Sequence, residues 1–303
     1  MIDAKVIADS VSPDGVRLTT VQARIHRFIL PEITRHRVFS FSVGSSRAVP
    51  TKKIIEQVEN DPAMPVFWGK NQPGMVADEE QSRLVYVPDH AVDDYWAFIP
   101  NEAWKHAADA AVEVAQAYHA SGYHKQIVNR LLEPFQWCDL IMSGTEFENF
   151  FKLRIDYAAQ PEIREAAIKI RDAMEASTPF AIQPGDWHMP YVPSYDEDGN
   201  PSFYEDPTEA LNCSAARVAR VSYLNHDQTN PDVEKDLKTA SRLLEDGHWS
   251  PFEHQGTPMP GLDWEDPEEW GLYTNGCTHI DRKHNRWSGN LRGWVQYRQL
   301  LEE

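Results

Sequence analysis

One segment of the chain groups basic side chains and hydroxyls at a spacing that could hold a ligand with more than one anionic group. It reads RHRVFSFSVGSSRAVP from Arg35 to Pro50, so seven residues separate the Arg-His-Arg cluster from Ser45, Ser46 and Arg47. Guanidinium groups and hydroxyls are side-chain donors that match phosphate oxygens. An isolated Arg-His-Arg triplet also occurs at ordinary surface helix ends, so the segment predicts a phosphate-bearing ligand only together with further motifs.

A second cluster, HWSPFEH, offers two histidines and a carboxylate between His248 and His254. Its spacing matches neither HExxH nor HxxEH, the arrangements that place zinc ligands on one helix face, so we predict no metal site. The roles that remain for His248, Glu253 and His254 are hydrogen bonding within the fold and contact with a cofactor.

The common phosphate-binding loops are missing from the sequence. There is no GxGxxG, no GxxxxGK[ST] and no GxSxG segment, which argues against a dinucleotide-binding loop, a P-loop and a serine hydrolase. Any nucleotide or flavin would therefore be held by side chains and helix ends. A nucleophilic role for Ser45 is disfavoured because no His/Asp pair is evident to activate it.

The composition excludes several classes of protein. With a net charge of −18 over 303 residues, the chain lacks the basic face that a general nucleic-acid binder needs. It shows neither an apolar run of membrane-spanning length nor a secretory apolar segment at its start. Cys138, Cys213 and Cys277 form no CxxC pair, which predicts a reducing, cytoplasmic location without disulfides or a zinc site.

The elements that would position these residues are helices with a few strands. Alternating apolar residues predict a strand over residues 16–30 that runs toward Pro31, followed by the Arg-His-Arg segment in a turn or short helix. Residues 67–75 and the acidic residues 261–270 are predicted to be loops. Helices are predicted over 51–60, 101–121, 136–154, 231–247 (with Pro231 at the first helical position) and 291–301, and from Pro161 onward.

This succession of elements has no regular strand–helix repeat, which predicts the α+β class. Residues 180–206 contain four prolines and an Asp-Gly-Asn turn signal, which indicates a long connection. We therefore divide the chain into residues 1–180, a connection at 181–206 and residues 207–303, and we expect these parts to form one integrated domain.

Several motifs resemble those of the flavin-dependent thymidylate synthases. Arg-His-Arg followed by seven residues and Ser is similar to the signature of that family, and His248 to His254 resembles its His-x-Ser/Thr-x-x-Glu-His run. The resemblance implies a fold in which long helices pack on a small mixed sheet. Further segments that resemble family motifs are Asn-Arg-Leu-Leu at 129–132, Phe-Phe-Lys-Leu-Arg at 150–154, Ala-Gln-Pro-Glu-Ile-Arg at 159–164 and Ala-Arg-Val-Ser-Tyr at 219–223.

The order of these motifs differs from that of the family. The segments at 219–223 and 248–254 precede Arg-His-Arg in the family and follow it here, so the chain resembles a circularly permuted member. The family also has an Asn-x-Arg flavin contact ahead of Phe-x-x-Leu-Arg, where this chain has Ser-Gly-Thr at 143–145. Asn290 and Arg292 could supply that contact, or their segment could replace the helix that leads into Arg-His-Arg.

The resemblance implies two groups of binding residues and one catalytic residue. Arg154 would face the pyrimidine ring and stabilise the charge that develops there. The residues that would contact FAD are Arg35, His36, Arg37, Asn149, His248, Ser250 and Glu253. The residues that would hold the nucleotide, with its 5′-phosphate on the Ser-Ser-Arg cluster, are Glu32, Arg35, Ser45, Ser46, Arg47, Arg130 and Arg154.

The implied reaction transfers one carbon to C5 of a pyrimidine deoxynucleotide and converts dUMP to dTMP. FAD, NADPH and methylenetetrahydrofolate would supply the chemistry, while the protein positions and polarises the reactants. The resemblance also implies a homotetramer that acts on small molecules, without nucleic-acid or membrane partners.

The nucleotide pocket departs from the family pattern at three places. Glu32 stands where the family has glutamine, Ser42-Val43-Gly44 where it has Asn-Glu before the serine, and Ala48 where it has tyrosine. Because a carboxylate could accept a hydrogen bond from an exocyclic amine, hydroxymethylation of dCMP or dUMP at C5 is an alternative reaction. A flavin- or nucleotide-binding protein without transfer activity and a structural protein with fortuitous motifs are two further alternatives.

Overall fold

The computed structural model of the protein describes residues 1–89, 92–192, 207–221, 230–261 and 275–301. The strands are β1 (Asp3–Val11), β2 (Arg17–His26), β3 (Ser40–Val43), β4 (Val85–Asp89), β5 (Asp94–Phe98), β6 (Trp137–Gly144), β7 (Phe180–Ala181), β8 (Gly256–Pro258), β9 (His279–Ile280), β10 (Arg286–Ser288), β11 (Leu291–Arg292) and β12 (Trp294–Gln296). The helices are α1 (Leu30–Ile33), α2 (Thr51–Asn60), α3 (Pro100–Ala120), α4 (Lys125–Val128), α5 (Glu148–Arg154), α6 (Pro161–Glu175), α7 (Pro207–Ala219) and α8 (Val233–Glu245). The predicted α+β class is confirmed. No helix among these residues is long and apolar enough to cross a membrane.

A five-stranded sheet in the order β3-β6-β2-β1-β7 forms the centre of the fold. Its neighbouring strands are antiparallel except for β1 and β7, so the sheet is mixed, as the family resemblance implied. α6 packs on β1 and β2, and Ile163, Ala167 and Ile170 on its buried stripe join the apolar side chains of these strands in one core cluster. The spacing of three and four in the sequence therefore identified the buried face of α6 correctly.

The prediction of a helix over residues 136–154 was wrong for the first part of this range. Trp137–Gly144 form β6, which lies between β2 and β3, and only Glu148–Arg154 are helical. Leu140, Ile141 and Met142 are all fully buried, as expected for a strand that is covered on both faces. Such a strand has a continuous apolar run without alternation, and periodicity alone does not distinguish that run from a buried helix.

The helix predicted over residues 291–301 was also wrong. The segment forms the short strands β11 and β12, followed by a 3₁₀ turn. Gly289 (φ 55°) and Gly293 (φ 71°) lie in the left-handed region and turn the backbone on either side of β11. Leu291 and Trp294 are fully buried and pack with Leu18 of β2, so their apolar character reflects a strand core.

The other predicted helices are confirmed with small changes at their ends. α2 has the predicted bounds, α3 begins one residue early, and α6 begins at the predicted proline. Pro231 is not the first helical residue of α8, because the Asp232 side chain caps that helix by accepting hydrogen bonds from the backbone N–H groups of Glu234 and Lys235. Neither β1 nor α7 was predicted.

The strand predicted over residues 16–30 is confirmed only as β2, since a 3₁₀ turn over Arg27–Ile29 follows it and Leu30 begins α1. The loop at 67–75 is confirmed. The acidic residues 262–270, the residues 193–206 of the connection, and Ser222 and Tyr223 of the Ala-Arg-Val-Ser-Tyr segment lie outside the described residues. The division of the chain at residues 181–206 stays a prediction.

α7 packs on the sheet, and α8 packs on α7. Asp236 of α8 is fully buried and accepts hydrogen bonds from Arg217 (2.8 Å) and Arg220 (2.6 Å), which joins the two helices. Val218 of α7 is buried against Ile141 of β6. The first and last parts of the chain therefore share apolar contacts across the central sheet.

A chain of buried hydrogen bonds also joins these parts. His254 lies within hydrogen-bond distance of Ser42 (3.2 Å) and Ser143 (2.8 Å) on the sheet. Ser143 is 2.6 Å from Thr20, which is 2.8 Å from His188. Burial lowers the pKa of both histidines to about 3, so both rings are neutral at neutral pH.

Candidate active site

The Arg-His-Arg segment lies in a turn between α1 and β3. Backbone hydrogen bonds from His36 N to Ile33 O (3.1 Å) and from Phe39 N to His36 O (3.2 Å) fix the conformation of the turn. Arg35 and Arg37 are exposed, and their side chains make no hydrogen bond or ion pair with any residue that the structure describes. The turn therefore offers two guanidinium groups to a ligand.

His36 is joined to Arg154, the last residue of α5. The Arg154 Nε–H donates to His36 Nε2 at 2.9 Å, so the proton of the neutral imidazole lies on Nδ1. Phe150 packs edge-on against the imidazole with ring centroids 5.0 Å apart. Burial, together with the charge of Arg154, lowers the pKa of His36, which keeps the ring neutral and able to accept this hydrogen bond.

The HWSPFEH segment follows α8 and forms a 3₁₀ turn over Ser250–Glu253. Phe252 is fully buried and anchors the turn, whereas His248 and Ser250 are exposed. The Glu253 carboxylate forms an ion pair with Arg298 of the last 3₁₀ turn. The motif thus combines one apolar anchor with polar groups that remain accessible.

Gln296 of β12 connects this turn to the strand that follows the Arg-His-Arg segment. Its Nε2 lies 2.9 Å from Glu253 O, 2.9 Å from Asn290 Oδ1 and 3.3 Å from Ser40 Oγ, and its side chain is buried. The Ser40 hydroxyl donates to Asn290 Oδ1 at 3.1 Å. Segments that are far apart in the chain therefore meet at one buried amide, which we call the Gln296 junction.

Asn290 and Arg292 lie beside residues 143–146. Asn290 Nδ2 donates to Val38 O within the Arg-His-Arg turn (3.3 Å), and the backbone N–H of Arg292 donates to the Thr145 hydroxyl (3.1 Å). The Arg292 guanidinium forms an ion pair with Glu146. Because the segment is a strand and not a helix, it does not replace a helix that leads into Arg-His-Arg, and its Asn-x-Arg sequence lies next to the Ser-Gly-Thr segment ahead of α5.

A second cluster forms at the other end of β3, around Glu133. Its Oε1 accepts hydrogen bonds from Ser46 Oγ (2.8 Å), Arg130 Nη1 (2.8 Å) and Arg27 Nε (3.1 Å). Burial acts to raise the pKa of Glu133, but the hydrogen bonds from Ser46 and Arg130 and the charge of Arg27 hold it below its usual value. Ser45 and Arg47 are exposed in the same loop, and Arg47 makes no hydrogen bond or ion pair with the described residues.

The family comparison decides which kind of protein this is. The sequence-family model described as thymidylate synthase complementing protein matches residues 16–180, which is more than half of the chain. The chain belongs to this family. The match ends before the Ala-Arg-Val-Ser-Tyr and HWSPFEH segments, as expected if a permutation has placed them after the matched region. No curated protein matches the chain.

Two solved structures similar to this thymidylate synthase complementing protein come from bacteria. The flavin-dependent thymidylate synthase ThyX from Helicobacter pylori, complexed with FAD and dUMP, is 19% identical, with 52% of this chain and 67% of that chain covered and a TM-score of 0.35. The UMP/dUMP methylase PolB from Streptomyces cacaoi, bound with 5-Br UMP, is 16% identical, with 57% of this chain and 88% of that chain covered and a TM-score of 0.38.

The structure brings several of the predicted site residues together in two places. The Arg-His-Arg turn contacts Arg154 through His36. The Gln296 side chain lies within hydrogen-bond distance of both Glu253 O and Ser40 on the strand after the turn. Ser46 and Arg130 meet at the second cluster. Glu32 on α1 and Asn149 on α5 make no hydrogen bond or ion pair with the described residues, so no polar contact links them to either cluster.

Sequence reasoning missed several residues that organise the site. Arg27 lies in the predicted strand and Glu133 directly after the Asn-Arg-Leu-Leu segment, but nothing in their spacing shows that Glu133 meets both Arg27 and Ser46. Gln296 and Arg298 lie in a segment that was predicted to be a helix, which obscured their role. Among the described residues, no three His, Cys, Asp or Glu side chains form a group that could hold a metal ion.

Proposed function

We propose that the protein is a flavin-dependent enzyme that transfers one carbon to C5 of a pyrimidine deoxynucleotide, with dUMP converted to dTMP. Membership in the thymidylate synthase complementing family supports this proposal. The observation that carries it is the Gln296 junction, which joins Glu253 of the HWSPFEH segment to Ser40 directly after the Arg-His-Arg turn. Two motifs that the family resemblance assigns to one flavin site therefore lie together despite their reversed order in the chain.

The donors at this place suit FAD. The guanidinium groups of Arg35 and Arg37 match the oxygens of an anionic cofactor, and the exposed side chains of His248 and Ser250 add further hydrogen-bonding groups. Bound FAD, reduced by NADPH, would supply the hydride, and methylenetetrahydrofolate would supply the carbon. His36 and Glu253 would contact the same cofactor, and Asn149 would lie along its ring system.

Arg154 is the proposed catalytic residue. His36 accepts from its Nε, which fixes the plane of the guanidinium and leaves its other N–H groups available to a pyrimidine carbonyl. A positive charge that is already oriented stabilises developing negative charge without reorganisation. The neutral state of His36 is part of this arrangement, because an imidazolium would repel the guanidinium.

The cluster after β3 is the proposed site for the nucleotide phosphate. Ser45 and Arg47 are exposed on the loop, while Ser46 and Arg130 already lie within hydrogen-bond distance of one shared acceptor. β3 separates this cluster from the Arg-His-Arg turn by about 13 Å, since a strand rises about 3.3 Å per residue. A ligand that reaches from one cluster to the other would be held at both ends.

Hydroxymethylation of dCMP or dUMP is the second candidate reaction. Glu32 is half-buried in α1, and its carboxylate makes no hydrogen bond or ion pair with the described residues. An acceptor of this kind suits the exocyclic amine of cytosine better than the carbonyl of uracil. In this second reaction, Glu32 would be the residue that selects cytosine over uracil.

We further propose that the enzyme is a homotetramer. The β4–β5 hairpin exposes Tyr86, Tyr95 and Trp96 by 63%, 64% and 55% of their surfaces. Aromatic residues that remain exposed together are typical of protein interfaces. Light scattering on the purified protein tests this proposal, and a monomer at micromolar concentration would contradict it.

Flavin binding and NADPH consumption test the proposed function. Purified protein is expected to carry the absorbance of FAD and to oxidise NADPH faster when dUMP or dCMP is present. Asn290→Ala should weaken FAD binding, with Asn60→Ala on the exposed end of α2 as a matched control. Protein that binds no flavin under any condition would overturn the proposal, and flavin binding without nucleotide-dependent oxidation would favour a binding protein.

A further inference from the structure

Glu133 places a negative charge where the proposed phosphate site has its donors. A single carboxylate oxygen, Oε1, accepts from Ser46, Arg130 and Arg27, while Oε2 accepts no hydrogen bond from the described residues. One carboxylate oxygen with three donors around it resembles the way a phosphate oxygen is bound. The side chain of Glu133 is 27% exposed and that of Arg130 is 54% exposed, so solvent reaches both, whereas Ser46 lies buried beneath them.

The position of Glu133 has a direct electrostatic consequence. Arg27, Arg130 and Glu133 together carry a single net positive charge, and Ser46 Oγ, Arg130 Nη1 and Arg27 Nε already donate to the carboxylate. A phosphate that approached Ser46 and Arg130 would compete with Glu133 for the Ser46 hydroxyl and for Arg130 Nη1, and it would be repelled by the carboxylate at close range. A nucleoside without a phosphate would meet neither cost.

Two other residues hold the loop in place independently of Glu133. Asn129 Nδ2 donates to Ser46 O at 2.7 Å and to Val49 O at 3.1 Å, and Lys125 Nζ donates to Ala48 O at 2.9 Å. The backbone position of Ser46 is therefore maintained when Glu133 is neutralised. Because these contacts do not involve Glu133, its charge can be removed while the loop keeps its conformation.

We propose that Glu133 is an internal anion that competes with the 5′-phosphate of a nucleotide for Ser46 and Arg130, and that it thereby determines how strongly the site prefers a nucleotide over its nucleoside. This inference rests on the proposed function for the identity of the ligand as a pyrimidine nucleotide. It assigns to Glu133 a role in substrate selection that is distinct from recognition of the base.

The test compares dUMP with deoxyuridine on flavin-loaded protein by calorimetry. Glu133→Gln keeps the size and one acceptor oxygen of the side chain but removes its charge. Glu175→Gln on α6 is the matched control, because it removes one carboxylate from an exposed ion pair with Arg171. Wild-type and control proteins are expected to bind the two ligands with dissociation constants within about tenfold of each other, whereas Glu133→Gln should bind dUMP at least about tenfold more tightly and deoxyuridine unchanged.

Two results would overturn the inference. If Glu133→Gln binds dUMP more weakly than the wild type, Glu133 positions the donors for the phosphate instead of competing with it. If the variant binds dUMP with unchanged affinity while deoxyuridine binding is also unchanged, the phosphate does not meet the Glu133 cluster.

Inorganic phosphate distinguishes failure of this inference from failure of the proposed function. If none of the three proteins binds either pyrimidine ligand, the proposed function fails. The inference then predicts that phosphate still raises the thermal unfolding temperature of Glu133→Gln more than that of the wild type or Glu175→Gln, at equal ionic strength. Equal phosphate responses in all three proteins would overturn the inference.

Discussion

Arg154 donates a hydrogen bond from Nε to Nε2 of His36 over 2.9 Å, which makes the centre of the Arg-His-Arg turn and the end of α5 one polar unit. The turn comes directly before β3, whereas α5 follows β6, and β3 and β6 are neighbours in the sheet. The sheet thus sets the distance between two motifs that more than a hundred residues separate. Because the hydrogen bond uses only one donor of Arg154, the remaining donors stay available for a substrate.

Arg154→Ala is expected to lower the turnover number by about a hundredfold or more while FAD binding stays near that of the wild type. The reason is that the substitution removes an oriented charge from the reacting ring and not from the proposed flavin contacts. Turnover and flavin titration measure the two effects. Lys152→Ala, an exposed position on the same helix, is the control, and full activity of Arg154→Ala would remove its catalytic assignment.

Arg47→Ala is expected to weaken nucleotide binding by about 1.5–3 kcal/mol through the loss of a charge-assisted contact, with little change in FAD affinity. The exposed Arg47 side chain has no partner among the described residues, so the free energy of unfolding should change by less than about 0.5 kcal/mol. Calorimetry with dUMP and urea unfolding measure the two quantities. An unchanged nucleotide affinity would place the phosphate elsewhere.

Gln296→Leu is expected to lower the free energy of unfolding by about 1–3 kcal/mol, because it removes the buried donor of Glu253 O and leaves Asn290 Oδ1 with the Ser40 hydroxyl alone. FAD affinity should fall as well, since the junction orients the HWSPFEH turn. Gln116→Leu on the exposed face of α3 serves as the control. A loss of stability without any change in FAD affinity would show that the junction is structural only.

The buried histidines predict a specific dependence of stability on pH. His188 and His254 have pKa values lowered to about 3 by burial, and the charge of His188 adds to this effect on His254. Between about pH 3 and pH 6.5 the unfolded chain binds more protons at these positions than the folded chain, so the free energy of unfolding rises with pH through this window and levels off above it.

His254→Gln separates this effect from the titration of carboxylates, which also destabilises the fold in acid. In the variant, the free energy of unfolding should rise less steeply with pH, by up to about 1.4 kcal/mol per pH unit, because one titrating group is gone. Urea unfolding at several pH values between 4 and 7 measures both slopes. Identical slopes for the two proteins would contradict the assignment.

Residue spacing in the sequence was enough to predict the amphipathic helices. The stripe of α6 and the bounds of α2 follow from residue spacing, because one face of each helix is buried and the other is not. β6 could not be identified in the same way, since burial on both faces removes the alternation that marks a strand. α7 was missed because its small residues, such as Ala215 and Ala216, are buried without forming a large apolar stripe.

In the candidate site, too, some residues could be predicted from the sequence and others could not. The motifs marked His36, Arg154, Ser46 and Arg130 as candidates, because their residue types stand in recognisable strings. The partners that organise them could not be found from spacing, since the contacts of Glu133 and Gln296 depend on how distant segments pack. For the Asn290 segment, the sheet excludes the replacement of a helix, and the flavin contact of Asn290 and Arg292 stays a prediction.

The most direct test of the proposed reaction is mass spectrometry of the nucleotides after flavin-loaded protein is incubated with NADPH, methylenetetrahydrofolate and an equal mixture of dUMP and dCMP. We predict that dUMP gains a methyl group and that dCMP is unchanged. A hydroxymethyl product, or consumption of dCMP, would favour the alternative reaction and make Glu32→Gln the next variant to measure. If neither nucleotide gains a carbon although the protein carries FAD and oxidises NADPH, one-carbon transfer to C5 is contradicted.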